Sequence, residues 1–324
     1  MIRNISVILF FLLISCTKQK KKVYHIGILS GLEYFSDIIT GLKEKMSELG
    51  YQEGANIVYD IEKSSNIDSV TYNHIVNDFI NKKVDLIFIY PTEPVVLTKQ
   101  LIEKTEIPVV FANTFVEYRN LINTLREPGG NMTGVRYEED DIALQSLEIF
   151  QELLPEIKEI WIPCYKNYNI AAKQLDALHK ACEKERINIT ELFAENASEL
   201  ELLLKKKAQD GLVPDAILII CDPLAVMEDA FTVIGDFANN RDIPIGGAYI
   251  SVNGYESVFG FRPQSITQGR KAAFLVDKVL SGSPAGSIPI VTADNYLILN
   301  IKDAGRYGLR LSESLLGRAN KIIR

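Results

Sequence analysis

The chain predicts an α/β protein of two doubly wound parallel-sheet lobes joined by a three-segment hinge. Three observations predict it. Short runs rich in Val, Ile and Phe alternate with longer segments of helical period, the pattern starts afresh near mid-chain, and a run of turn formers separates the halves. The roughly 300 residues that follow the N-terminal segment fit two lobes at the usual ~100–200 residues per domain.

In order, a strand at residues 25–29 leads to a helix with Ile38, Ile39, Leu42, Met46 and Leu49 on one face, Ser36 or Asp37 as its cap, and Gly50 as its stop. A strand at 57–61 follows, then a helix striped by Tyr72, Ile75, Val76, Phe79 and Ile80, a strand at 86–90, a helix over 93–105 and a strand at 109–112. In the second half a helix over 142–153 precedes strands at 160–163, 189–193 and 217–220, with helices between and after them. Residues 258–261 and 288–299 read as extended, and the helix between them, 264–280, belongs to one of the lobes.

The halves also resemble each other. Asp85-Leu-Ile-Phe-Ile-Tyr-Pro91, with Glu106-Ile-Pro-Val-Val110 one helix later, matches Asp215-Ala-Ile-Leu-Ile-Ile-Cys-Asp-Pro223 with Asp242-Ile-Pro-Ile245 after the next helix. Between them Glu127-Pro-Gly-Gly-Asn-Met-Thr-Gly-Val135 suits a crossing from lobe to lobe. The predicted first lobe comprises residues 23–133 and 262–289, the second 134–261 and 290–324. Three crossings make a hinge, an architecture that permits closure around a ligand.

The N-terminus carries a different signal. Met1-Ile-Arg3, an apolar run over 5–14, Ser15-Cys16 and the basic stretch 18–22 have the anatomy of an export signal, too short to span a bilayer stably. Residues 1–15 are read as a signal peptide, and 16–22 as a basic tether. The body is therefore expected outside the cytoplasm.

Composition suits a folded body, with 47% hydrophobic and 24% charged residues, and the net charge of −7 leaves no electrostatic footprint for nucleic acid. Cys164, Cys182 and Cys221 form no Cys-x-x-Cys pair and have no metal-ligand spacing to His25, His74 or His179, so no metal is expected. Cys164 and Cys221 end two neighbouring predicted strands, which leaves buried free thiols and a single bridge as the alternatives. No phosphate loop, Gly-x-Gly-x-x-Gly or Gly-x-Ser-x-Gly run is present, and no His stands by a strand-end nucleophile; neither cofactor nor catalysis is expected.

In open α/β sheets ligands bind beyond the carboxyl ends of the strands. That rule selects Glu33, Tyr34, Thr92, Glu93, Asn113 and Thr114 in the first lobe, and Tyr165, Asn167, Asp222, Tyr249 and Ser251 in the second. They supply carboxylates, amides, hydroxyls and aromatic faces, the kit for a small polar molecule with a flat apolar part. Glu33, Glu93 or Asp222 can pair an ammonium, while hydroxyls and helix N-terminal amides can take a carboxylate. Structural roles compete: Thr92 and Asp222 as helix caps, Tyr34, Phe35 and Tyr165 as loop packing, Arg262 as a surface charge near the hinge.

Several runs resemble a known family. Ile107-Pro-Val-Val-Phe111, Pro128-Gly-Gly-Asn-Met-Thr-Gly134, Leu153-Leu-Pro155, Leu299-Asn-Ile-Lys-Asp-Ala-Gly-Arg-Tyr-Gly-Leu309 and Ser312-Glu-Ser-Leu-Leu316, with the turn Glu48-Leu-Gly-Tyr-Gln-Glu-Gly-Ala-Asn-Ile57, resemble the ABC-transporter substrate-binding lipoproteins of the tryptophan/tyrosine type. Leu13-Ile14-Ser15-Cys16 likewise resembles a bacterial lipobox, which implies cleavage before Cys16, its lipidation and a membrane anchor. The family resemblance implies a type I periplasmic-binding fold, no catalysis, capture of a small molecule such as an aromatic amino acid, and delivery to a permease and its ATPase. Only Thr92 and Asp222 match the family's site motif directly; Tyr90-Pro-Thr-Glu93 and Pro223-Leu224 depart from its usual small or polar residues. A ligand sensor reporting to a membrane receptor is the alternative, an extracytoplasmic enzyme the third reading, and a monomer is expected.

Overall fold

The computed structural model describes residues 22–324 apart from 65–67, 118–119, 167 and 169–170. Its first lobe begins with β1 (Tyr24–Ser30), α1 (Asp37–Glu48), β2 (Ile57–Lys63), α2 (Ser69–Lys82), β3 (Leu86–Tyr90), α3 (Thr92–Ile102), β4 (Val109–Thr114) and β5 (Met132–Arg136). The second lobe is built from α4 (Glu139–Leu153), β6 (Glu159–Tyr165), α5 (Ala172–Glu185), β7 (Asn188–Ala194), α6 (Ala197–Gln209), β8 (Ala216–Leu218), α7 (Glu228–Asn239) and β9 (Ile245–Gly246), then the hairpin β10 (Ser251–Val252) and β11 (Tyr255–Glu256) and the strand β12 (Phe259–Pro263). The chain returns to the first lobe as α8 (Ser265–Leu280) and β13 (Val291–Thr292). It ends in the second with β14 (Asn295–Asn300), α9 (Ile301–Arg306), α10 (Glu313–Arg318) and β15 (Lys321–Ile323).

Each lobe buries a parallel sheet between two helical layers, as the apolar strands require. The first sheet runs β13-β5-β4-β3-β1-β2, all parallel. One face packs Ile26, Ile28 and Phe88 against α1 and α8, the other packs Ile87 and Ile89 against α2 and α3. The second sheet, β7-β6-β8-β9, is also parallel, and β12-β14-β15 extends that lobe with an antiparallel β12/β14 pair. Cores containing Ile160 with Phe150 and Trp161 with Phe231 cover its two faces.

The chain crosses between lobes after β5, after β12 and after β13, so the hinge has three segments. Each crossing lies a few residues beyond the expected boundary. The division after residue 133 falls inside β5, which pairs with β4 as far as Arg136. The division after 261 falls inside β12, and that after 289 precedes β13, which pairs with β5. Turn formers marked the approach to the first crossing, but the strand ladders continue into the hinge. The expected 288–299 strand divides accordingly between β13 and β14, and Ala293 N donates to Arg136 O at 2.8 Å where two hinge segments meet. The signal segment, Cys16 and all of the basic tether except Lys22 lie outside the described residues.

Candidate functional site

A cavity of about 360 Å³ lies between the lobes, at the carboxyl ends of β1, β3 and β4 on one side and of β6, β8 and β9 on the other. That volume is at the small end of the ~300–1,000 Å³ usual for small-molecule sites. The first lobe contributes Leu32, Tyr34 and Phe35 after β1, Thr92 and Glu93 after β3, and Asn113 in β4. The second contributes Tyr168, Cys221, Asp222, Val226 and Tyr249, and the hinge adds Tyr137, Gly260, Arg262 and Tyr296. Gly260 is required there: a Cβ on it would stand 2.2 Å from Tyr249 N, so only glycine lets β12 approach the loop that carries Tyr249.

Of the sequence-selected residues, Tyr34, Thr92, Glu93, Asn113, Asp222 and Tyr249 meet at this cavity. Four others do not line it. Glu33 is turned to solvent and pairs with Lys63 at 3.4 Å. The Thr114 hydroxyl is used by Ala112 O at 2.9 Å, Tyr165 contributes its backbone N–H while its ring packs on the second lobe's core, and Ser251 sits exposed on the hairpin, bonded to Glu256. Asn167 lies outside the described residues.

The carboxylates are held in contrasting ways. Glu93 is buried; its Oε1 accepts from the Tyr168 hydroxyl at 2.5 Å, and its Oε2 has no partner among the described residues. Burial raises its carboxyl pKa above the usual value, against the opposing Tyr168 hydrogen bond. Asp222 accepts from Tyr165 N at 2.9 Å and Leu224 N at 2.9 Å, which ties the end of β6 to the turn after β8. It thus acts as a turn cap and as a cavity wall. Burial pushes its pKa up to about 7 despite those N–H donors.

Thr92 is not a cap, since Pro91 occupies the N-cap position of α3. Its Oγ1 instead accepts from Phe115 N at 3.0 Å and lies 3.3 Å from the Tyr137 hydroxyl, which donates to Glu139 Oε1 at 3.0 Å. This chain of buried groups joins the first lobe to the hinge behind the cavity. Burial drives the Glu139 carboxyl and the Tyr137 and Tyr168 phenols well above their ordinary pKa values. Ser36 is the N-cap of α1 by position, although its side chain makes no capping bond.

Tyr137, Tyr168, Tyr296 and the role of Arg262 escaped sequence reasoning. Arg262 is no surface charge: it lines the cavity from β12, donates through Nη2 to Ile220 O, and keeps Nε buried and without a partner among the described residues. The three cysteines of the body are buried free thiols, so Cys164 and Cys221 are not bridged. Cys221 stands in the cavity wall with its pKa pushed up to about 12 by burial, which makes it unreactive.

Two lobes, a three-segment hinge and a cleft between them with polar groups converging from both sides define a protein that captures a small molecule between its lobes. The family described as "ABC transporter substrate binding protein" matches residues 26–323, and the chain belongs to that family. A tyrosine-binding protein of Clostridioides difficile is 27% identical over 294 residues, covering 88% of this chain and 81% of that one. Among solved structures, a conserved domain protein of Vibrio cholerae superposes with a TM-score of 0.81 at 22% identity, over 93% of this chain and 100% of its own. An ABC domain from Streptococcus pneumoniae in complex with L-Trp gives 0.79 at 20% identity, with the same coverages. The chain is a solute-binding protein of an ABC transporter. It works outside the cytoplasm, has no enzymatic role, and serves the transporter's membrane components.

Proposed function

We propose that the cleft captures a zwitterionic aromatic amino acid, and that the mature chain is a monomer held at the membrane by lipid on Cys16. The observation that carries the ligand is that two charged residues lining the cavity, Glu93 of the first lobe and Arg262 of the hinge, each keep a buried atom, Oε2 and Nε, without a partner among the described residues. A buried polar group without a partner costs ~1–3 kcal/mol, more when charged, so an ammonium and a carboxylate that satisfy both gain strongly. Ser265 and Ile266, at the start of the 16-residue α8, also line the cavity and add helix N-terminal amides for a carboxylate. Rings of Tyr34, Phe35, Tyr137, Tyr168, Tyr249 and Tyr296 suit a flat apolar side chain. The binding names of the C. difficile and S. pneumoniae relatives point the same way. Delivery is to the permease and ATPase of an importer.

A thermal-melt panel on protein starting at Thr17 tests this, with aromatic amino acids, other amino acids, nucleosides and small sugars. A ligand at ~100 times its Kd adds ~2.7 kcal/mol to the folded state. Shifts with Tyr, Trp or Phe alone are expected; a shift only with sugars or nucleosides contradicts the reading. For the anchor, Cys16→Ala is expected to move the protein from the membrane to the soluble fraction, and unchanged membrane retention contradicts lipidation.

A further inference from the structure

We infer that Gln268 is a positioning residue: it holds the Asn113 side chain with its NH₂ group toward the cavity, making position 113 a donor that selects ligands by an acceptor group. Gln268 is buried on α8, and its Nε2 donates to Asn113 Oδ1 at 3.1 Å. Asn113 lines the cavity, and with Oδ1 engaged its Nδ2 is left without an acceptor among the described residues. In this arrangement Gln268 Oε1 is buried without a partner among the described residues; turning both amides over would instead leave both N–H groups of Nε2 unused in a side chain that is 1% exposed, and a buried orphan N–H is rarer than an under-satisfied carbonyl oxygen.

The backbone supports a functional placement. Asn113 has φ 48°, where its ladder register slips between Phe111 and Thr114, and asparagine tolerates that left-handed region better than most residues. The slip aims the side chain at the cleft rather than along the strand pattern. An NH₂ group cannot receive an ammonium, so with Arg262 on the same cavity it favours the carboxylate end of the ligand. This inference rests on the amino-acid reading of the site and specifies which end of the ligand the first lobe's Asn113 selects.

The test is a double-mutant cycle by calorimetry on protein starting at Thr17, with L-tyrosine and L-tyrosinamide as probes. Asn113→Gly removes the amide while keeping a backbone that glycine adopts freely, and Gln268→Met removes the donor at similar length. Gln268→Met is expected to weaken L-tyrosine about fivefold or more, to weaken L-tyrosinamide less, and to have no further effect in the Asn113→Gly background. Equal weakening of both probes, or an undiminished effect in that background, overturns the inference. Wild-type protein that binds neither probe, nor L-tryptophan or L-phenylalanine, refutes the amino-acid reading instead. A ligand-free measurement then decides the positioning itself: in the unliganded wild type, the Asn113 side-chain NH₂ protons, identified by their loss in Asn113→Gly, should exchange quickly with water while one Gln268 Nε2 proton is protected. The reverse pattern overturns it.

Discussion

The Tyr168 hydroxyl of the second lobe donates to Glu93 Oε1 of the first at 2.5 Å, directly across the cavity. A second tie, from the Tyr34 hydroxyl to Tyr249 O at 3.2 Å, runs in the opposite direction. Leu32 of the first lobe shares an apolar cluster with Leu224, Val226 and Ile250 of the second. These contacts join the two lobes, so opening the cleft has to break them, and they bear on the open-to-closed equilibrium that a ligand biases.

Removing the first tie should shift that equilibrium. Tyr168→Phe deletes the donor and leaves both oxygens of a buried Glu93 without side-chain partners among the described residues. Hydrogen bonds to charged groups contribute ~1.5–3 kcal/mol, so L-tyrosine affinity is expected to fall about tenfold or more. Small-angle scattering of the unliganded variant should report a larger radius of gyration than wild type. Unchanged affinity and radius would show that the tie plays no part in closure.

Charge and hydrogen bonding at Glu93 can be separated. Glu93→Gln still accepts from Tyr168 but carries no negative charge. It should weaken L-tyrosine more than tenfold and weaken 3-(4-hydroxyphenyl)propanoate, which lacks the ammonium, much less. A parallel loss for both compounds by calorimetry would assign Glu93 a purely structural role.

Protonation should link stability to pH. Glu93, Glu139 and Asp222 all have carboxyl pKa values raised by burial, Asp222 to about 7. The folded state therefore binds more protons than the unfolded one between the ordinary carboxylate range and the raised values. The Asp222 contribution is complete below about pH 4 and is lost as pH rises through about 7, and those of Glu93 and Glu139 have the same sign. For Asp222 alone, at ~1.4 kcal/mol per unit, it is on the order of 4 kcal/mol. The unliganded melting temperature should be higher at pH 5.5 than at pH 8; a rise over that interval would contradict the assignment.

The two helices on one face of the first sheet meet through glycines. A Cβ on Gly41 would lie 2.0 Å from Ile266 O, and one on Gly269 would lie 2.0 Å from Ile38 O. Neither obstacle is a side chain that can turn away. Gly269→Ala should cost about 1–3 kcal/mol or more in urea unfolding. Because α8 begins at the cavity with Ser265 and Ile266, the same change should also weaken ligand binding. A variant as stable as wild type would mean the helices separate at little cost.

The sheets were legible because buried parallel strands are continuous apolar runs: the strand expected at 86–90 is β3, residue for residue. The loop-end rule likewise led to Glu93, Asn113 and Asp222. It also selected Glu33 and Ser251, because position in a loop does not say which way a short turn faces; Tyr34 turns inward and Glu33 outward on the same 3-10 turn. Tyr137, Arg262 and Tyr296 were hidden for another reason. They reach the cavity from crossing segments, and which side of such a segment faces the cleft depends on pairings with strands far away in the chain, as when Arg262 of β12 pairs with Tyr296 of β14. Gln268 reads as one polar residue on an amphipathic helix, and only the fold brings it to Asn113.

The most direct test of the central claim is calorimetric titration of the protein starting at Thr17 with L-tyrosine, tyramine and 3-(4-hydroxyphenyl)propanoate. The three share a ring and differ in which charge they carry. One site for L-tyrosine, with each single-charge analogue bound at least about a hundredfold more weakly, is the predicted result, because Glu93 and Arg262 then each lose a charged partner. Equal affinity for all three, or no binding of any of them or of L-tryptophan and L-phenylalanine by protein shown to be free of carried-over ligand, would contradict it.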